Sequence, residues 1–115
     1  FGFGPDEGLV VERRLTSRKV DAAWAFRQSQ VATYSYTIEL ENFNQRNVEV
    51  EVTDQLPISK SQDIKVIYLG SNRQAKVDAE TGLLRWTLDV GKGARSEITF
   101  SFSVECPVGT DVHWQ

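Results

Sequence analysis

Four glutamates that flank a short turn are the side chains best placed for ionic chemistry. Glu39 and Glu41 end one run of alternating apolar and polar residues, and Glu49 and Glu51 open the next. If the two runs pair as a hairpin with both apolar sets buried, at least one glutamate faces another across the pair. Directly opposed like charges destabilise a strand pair by a few tenths of a kcal/mol up to about 1 kcal/mol.

This acidic patch has three alternative explanations. Water, salt and neighbouring basic side chains screen surface charges well, so the first explanation is an ordinary solvated surface. The second is a basic protein partner that neutralises the four carboxylates. The third is a bound Ca²⁺ ion, although calcium usually takes backbone carbonyls in a loop, which a flat strand face lacks.

Three aromatic residues stand outside the regular apolar pattern, namely Trp24, Phe26 and Trp114. Ligand sites are lined mainly by apolar and aromatic side chains, and sugar rings stack on flat aromatic faces. These three side chains are therefore candidates for stacking on a glycan if they are exposed. If they are buried, the hypothesis of glycan binding loses its support.

Catalytic chemistry has few side chains to draw on. His113 is the only histidine, and no cysteine or second histidine lies near it in the sequence. A catalytic triad needs a histidine held by a carboxylate and facing a nucleophile, and a zinc site needs several nitrogen or sulfur ligands. Cys106, the only cysteine, falls on the inward side of the last apolar run and is interpreted as a small buried hydrophobe. We therefore expect no enzyme, no cofactor and no metal centre.

The composition indicates one globular domain. The 115 residues are 40% hydrophobic and 25% charged, and the net charge of −3 gives no reason to approach nucleic acid. No stretch approaches the 18 or more consecutive apolar residues of a membrane-spanning helix, so no membrane insertion is expected. Because the chain opens at Phe1 and contains no methionine, we expect a single domain over residues 1–115, excised from the C-terminal part of a longer protein.

The elements that must position these side chains are β-strands, because apolar residues recur with a period of two. Successive side chains of a strand point to opposite faces, so each run has one buried and one wet face. The predicted inward residues are Tyr34, Tyr36, Ile38, Leu40, Val48, Val50, Val52, Leu84, Trp86, Leu88, Val90, Ile98, Phe100, Phe102, Val104 and Cys106.

Weaker strands are predicted at residues 9–15, 64–69 and, as a short one, 74–77. Residues 17–29 show no clear period and are left open between a long loop, an edge strand and one helical turn. About seven short antiparallel strands separated by turns predict an all-β fold, an immunoglobulin/fibronectin-like two-sheet β-sandwich with Greek-key connections. A closed barrel is the alternative.

Several segments together carry a family resemblance. They are Phe1-Gly2-Phe3-Gly4-Pro5-Asp6-Glu7, Tyr36-Thr37-Ile38-Glu39-Leu40-Glu41-Asn42, Asp54-Gln55-Leu56-Pro57, Asp63-Ile64-Lys65-Val66 and Gly82-Leu83-Leu84-Arg85-Trp86. The chain resembles the C-terminal domain of unknown function found in mucoidy inhibitor A-like proteins, which are mostly bacterial. This resemblance implies a β-rich module of an exported multidomain protein, with no established catalytic residue to carry over.

The Asp54-Gln55-Leu56-Pro57 segment, the most specific part of the resemblance, also has a structural interpretation. Asp54 can accept backbone hydrogen bonds where a strand ends, Leu56 can plug the edge of the sandwich, and Pro57 can set a turn. We favour this interpretation over a recognition loop because the segment carries turn formers and no aromatic residue.

We therefore expect a non-catalytic structural or protein-interaction domain of a periplasmic or extracellular cell-envelope protein. Its partner would be another protein or another domain of the parent chain. The alternative is a carbohydrate-binding module that acts on exopolysaccharide or cell-wall glycans. Exposed sandwich edges can accept a partner strand, and residues 9–15 or the weak strand near Gln74 are candidates. Arg13 and Arg14 would guard the first of these edges against unwanted pairing.

Overall fold

Every regular element that the structure describes is a β-strand. The computed structural model describes residues 2–3, 8–22, 29–59 and 62–107. The strands, numbered in chain order, are β1 (Gly2–Phe3), β2 (Leu9–Ala22), β3 (Ser29–Asn42), β4 (Val48–Gln55), β5 (Lys65–Ser71), β6 (Lys76–Val77), β7 (Leu83–Val90) and β8 (Arg95–Pro107). No helix in these ranges is long and apolar enough to cross a membrane.

The strands form two antiparallel sheets, which confirms the predicted all-β sandwich. Sheet 1 has the order β2-β3-β8-β5, and sheet 2 has the order β1-β4-β7-β6. The longer strands are nested, because β3 pairs with β8 while β4 pairs with β7. The connections at residues 43–47 and 91–94 therefore both cross from one sheet to the other. Immunoglobulin domains share this two-sheet architecture, but the order of their strands differs from the order found here.

The core lies between the two sheets and is built by the predicted period-two alternation. Val50, Trp86 and Phe100 are all nearly inaccessible to solvent, and Cys106 is buried as expected. The rings of Tyr36 and Phe100 stack with centroids 5.4 Å apart, and Trp86 tilts against Phe100 at 5.3 Å. Full burial of one large apolar side chain contributes about 1.5–3 kcal/mol before the loss of conformational entropy is subtracted. This shared interior holds the two sheets together.

The edge strands differ most from the sequence-based expectation. β2 continues to Ala22, well beyond the predicted end at residue 15, with a bulge at Thr16 between Leu15 and Ser17. Residues 17–22 are thus an edge strand, whereas residues 23–28 lie outside the described residues. The bulge hides the continuation, because the extra residue breaks the alternation that marks a strand.

A buried asparagine fixes the crossover between β3 and β4. Asn42 is completely buried, and its Nδ2 donates to the carbonyl oxygens of Arg46 at 2.9 Å and Val90 at 3.0 Å. Its Oδ1 accepts from the backbone N–H of Asn44 at 2.9 Å. The Asn42 side-chain amide therefore provides hydrogen bonds to backbone groups of the β3–β4 connection and of the end of β7, where strand pairing stops.

Candidate functional site

The four glutamates of the predicted acidic patch do not share one surface. Glu39 and Glu41 lie on β3 in sheet 1, while Glu49 and Glu51 lie on β4 in sheet 2. The expected hairpin between these strands is wrong, because residues 43–47 carry the chain across the sandwich and β4 pairs with β7. Each pair of glutamates faces solvent on the outside of its own sheet.

Sheet 1 nevertheless places carboxylates directly opposite each other on neighbouring strands. The strand pairing that brings them together was not predicted from the sequence. Glu39 lies opposite Glu12 on β2 and opposite Glu97 on β8. The Arg14 guanidinium bonds to Glu39 at 2.6 Å, and this hydrogen bond, followed by the carboxylate's charge, raises the pKa of Arg14. Arg95 contacts Glu41 at 2.8 Å. Basic side chains on the neighbouring strands thus offset the row of carboxylates.

Sheet 2 carries a second opposition of carboxylates, between Glu49 on β4 and Asp89 on β7. Glu51 on the same face contacts Arg85 at 3.3 Å, and both side chains are about half exposed. Exposed pairs of this kind contribute little to stability. No group of three or more His, Cys, Asp or Glu side chains in the described ranges is arranged to hold a metal ion.

A buried ion pair between the two sheets is the polar feature that sequence reasoning missed. Asp54 of β4 is 2% exposed, and its Oδ2 accepts a hydrogen bond from Arg13 Nε of β2 at 2.7 Å. The Arg13 guanidinium carbon lies 4.2 Å from the centroid of the Tyr36 ring. Burial raises the pKa of the Tyr36 hydroxyl, and the Arg13 charge partly offsets that rise. The arrangement latches β2 and β3 to β4.

The sequence did contain a signal for this pair. Asp54 lies an even number of residues from the buried Val48, Val50 and Val52, so its side chain points to the same inner face of β4. The expected roles of Asp54 and Leu56 are confirmed, because Asp54 Oδ1 accepts from the Gln55 N–H at 2.8 Å and Leu56 is 7% exposed. The expected turn at Pro57 is wrong, because residues 56–59 form no turn. Asp54 is therefore both a strand terminator and a core residue.

The aromatic candidates for glycan stacking, Trp24, Phe26 and Trp114, lie outside the described residues, as does His113. The hypothesis of glycan stacking on them stays a prediction.

A groove opens at one side of the sandwich, between the edge strand β5 of sheet 1 and the short edge strand β6 of sheet 2. This seam groove has a volume of about 470 Å³. It is lined by Leu56, Ile58, Val66, Tyr68 and Val77 together with the acidic residues Asp78 and Glu80, among others. Leu56 is buried there, whereas Ile58 is 57% and Val77 is 44% exposed. The Leu56 N–H donates to the Gly82 carbonyl at 2.9 Å, which fixes the segment after β4 against the β6–β7 turn.

The β5 edge beside the seam groove carries the more continuous apolar surface. In the part of the chain that the structure describes, β5 pairs with β8 only, and Ile67 and Leu69 on it are 48% and 54% exposed. The opposite edge, β2, also exposes Val10, Leu15 and Val20. Charged residues interrupt that series, as guards against pairing commonly do. They are Glu12, Arg14, Arg18 and Lys19. The expected guard role of Arg13 is wrong, because its side chain turns inward to Asp54.

One comparison with known proteins identifies the family. The family described as Domain of unknown function (DUF4139) matches residues 4–108. The chain belongs to this family. No curated protein and no solved structure matches it.

The matched range of the DUF4139 domain contains the Arg13–Asp54 latch, the Asn42 crossover and the whole seam groove. The family description names no reaction and no ligand. What this DUF4139 domain does must therefore be argued from its own surfaces.

Proposed function

We propose that this DUF4139 domain is a non-catalytic structural and protein-interaction module of a mucoidy inhibitor A-like protein of the cell envelope. The observation that carries the proposal is the largely apolar seam groove beside β5, an edge strand that pairs on one side only within the described residues. Contiguous exposed apolar surface commonly marks a place where another protein binds. The envelope assignment rests on the resemblance of the sequence motifs to that group of proteins.

The use of the polar groups supports a bracing or binding role. In the described ranges, no buried side-chain nitrogen or oxygen lacks a hydrogen-bond partner. Asp54 is held by Arg13, and Asn42 is saturated by backbone groups. Catalytic groups usually stand in a cleft with a reacting partner within reach, whereas these groups are committed to joining strands. In the described ranges, the remaining exposed surface carries apolar side chains and charged ones, some of them in ion pairs such as Arg85–Glu51.

A capture experiment tests the proposal. The domain is immobilised and exposed to the N-terminal portion of its parent protein and to envelope extract, and bound proteins are quantified against an unrelated β-sandwich of similar charge. The same domain is applied to a glycan array. We expect saturable binding of a protein and no glycan signal. Binding to exopolysaccharide or cell-wall glycans without a protein partner would contradict the proposal and favour a carbohydrate-binding module.

A further inference from the structure

We infer that the β5 edge and the seam groove form one docking site for an extended segment of another polypeptide. The segment adds a fifth strand to sheet 1 and inserts every second side chain into the groove. The inference rests on the proposed function and names the surface and the kind of partner that the domain binds.

The backbone of β5 offers the hydrogen bonds for such an addition. Lys65, Val66, Ile67 and Tyr68 pair in regular register with residues 105–102 of β8, before a bulge between Tyr68 and Gly70. In an antiparallel pair, alternate residues turn both their N–H and their C=O away from the partner strand. Those groups of β5 face the seam, and a segment lying alongside can bond to them as in other cases of strand addition.

The side chains around this edge define the chemistry of the partner. Successive residues of an added strand point to opposite faces of the sheet. The set that points inward enters the groove between Val66 and Tyr68 on one side and Ile58 and Val77 on the other, and Asp78 and Glu80 also line it. Large aliphatic or aromatic side chains fit such walls. The outward set lies beside Ile67, where threonine or valine can place a methyl group against it.

A second copy of the domain does not suit the site through its own β5. Val66 and Tyr68, the residues that a second β5 would direct toward the groove, already pack against the core of their own domain. The occupant is therefore an extended segment whose inward side chains are uncommitted before it binds.

The probe for the test is a capped ten-residue peptide that alternates leucine with threonine and ends in two lysines. Two further forms carry backbone N-methyl groups, one on the leucines and the other on the threonines. Only one of these two sets of amides can face β5. We expect one methylated peptide to bind at least tenfold more weakly than the parent peptide and the other to bind as the parent does.

Two protein variants and one matched control locate the site. Ile58→Glu and Val77→Glu place a carboxylate in the groove, while Val20→Glu places one on the β2 edge, at a residue with the same 44% exposure as Val77. Binding is followed by amide chemical shifts and by hydrogen exchange at residues 65–68. We expect both groove variants to weaken binding at least tenfold and Val20→Glu to leave it unchanged, with retained thermal melting showing that all three fold.

Several results would overturn the inference. They are the absence of binding at millimolar peptide, equal weakening by both methylated peptides, and insensitivity to both groove variants. A concentration-dependent dimer that Val77→Glu abolishes would show that a second copy occupies the site instead. If wild type and both groove variants capture the same partner protein equally, the docking site is wrong while the proposed interaction function stands. If none of them captures a protein, the proposed function itself fails.

Discussion

At the scale of single residues, the Arg13–Asp54 pair occupies a position where the alternation of β4 calls for an apolar side chain. Burying a carboxylate is costly unless the charge is paired and hydrogen-bonded. Here Arg13 supplies two donors, at 2.7 and 3.3 Å, and Gln55 N–H a third. Stacking of the guanidinium on Tyr36 adds a contact that only arginine makes well. The pair is therefore an inter-sheet latch.

Breaking this latch from either side should destabilise the fold, but not additively. We expect Arg13→Ala to lower the free energy of unfolding by about 2–4 kcal/mol, because it leaves a buried carboxylate without its cation. Asp54→Ala should cost less, since Arg13 is 22% exposed and can turn toward water. The double variant should fall short of the sum by about 1–3 kcal/mol. Urea denaturation measures all three, and strictly additive losses would contradict the assignment of a coupled pair.

Asn42 allows a sharper test, because its Nδ2 faces carbonyl oxygens. Asn42→Asp keeps the shape but sets a carboxylate oxygen against those carbonyls, so we expect a loss of about 2–4 kcal/mol at neutral pH. Acidification should restore part of the loss, because the protonated carboxyl can donate one hydrogen bond. Asn42→Ala is the control, whose loss should not change with pH. Equal pH profiles for the two variants, measured by thermal melting, would refute this role.

At the scale of elements, the β6–β7 hairpin is held by Asp78. Its Oδ1 accepts from the N–H groups of Glu80 at 2.9 Å and Thr81 at 3.2 Å, and these bonds, Thr81 first, lower the pKa of Asp78. Because the folded-state pKa is lowered, the stabilisation is present above the unfolded-state pKa. It is lost as the pH falls through the folded-state value, below about 3.9.

The pH dependence of Asp78→Asn should show this directly. We expect the variant to be less stable than wild type at pH 7 and the difference to vanish at the acid end of the titration. Carboxyl chemical shifts of wild type should give a pKa below the ordinary aspartate value. A difference between the two proteins that stays constant from pH 7 to the acid end would count against the turn assignment.

Alanine variants of two turn glycines can distinguish the cost of backbone strain from the cost of a close contact. Gly82 has φ +72° and Gly93 has φ +66°, so an alanine at either position is strained by about 1–2 kcal/mol. A Cβ at Gly82 would also lie 3.1 Å from the Leu56 carbonyl oxygen, whereas one at Gly93 meets nothing within 4 Å. Gly82→Ala should therefore cost more than Gly93→Ala in urea denaturation. Equal losses would mean that the segment after β4 is not packed on this turn.

The sequence was sufficient to predict the strands but not their neighbours. Period-two alternation gave the inward residues of β3, β4, β7 and β8, such as Val50 and Phe100, because burial acts on every second side chain. Alternation does not indicate which strands are neighbours in a sheet. The predicted pairing of the β3 glutamates with the β4 glutamates is therefore wrong, because the two strands lie in different sheets. Alternation cannot predict the seam groove for the same reason, since residues of three separate segments line it.

At the scale of the whole molecule, the two sheets differ in length and in how their edges end. β3 and β8 of sheet 1 have 14 and 13 residues, whereas β4 and β7 of sheet 2 have eight each. On the β5 side, sheet 1 ends in a seven-residue strand and sheet 2 in the two-residue β6. The short edge of sheet 2 cannot cover β5 along its length, and within the described residues the seam between them stays open.

Amide hydrogen exchange along β5, followed residue by residue by NMR, tests that claim most directly. If the edge is open, amides at residues 65–68 that point to β8 should be protected while the alternate ones exchange rapidly. Amides of β8 at residues 100–105, which have β3 on one side and β5 on the other, should be protected at both sets of positions. Uniform protection along β5 in the isolated domain would mean that its edge is already covered, and the account of an interaction site there would be wrong.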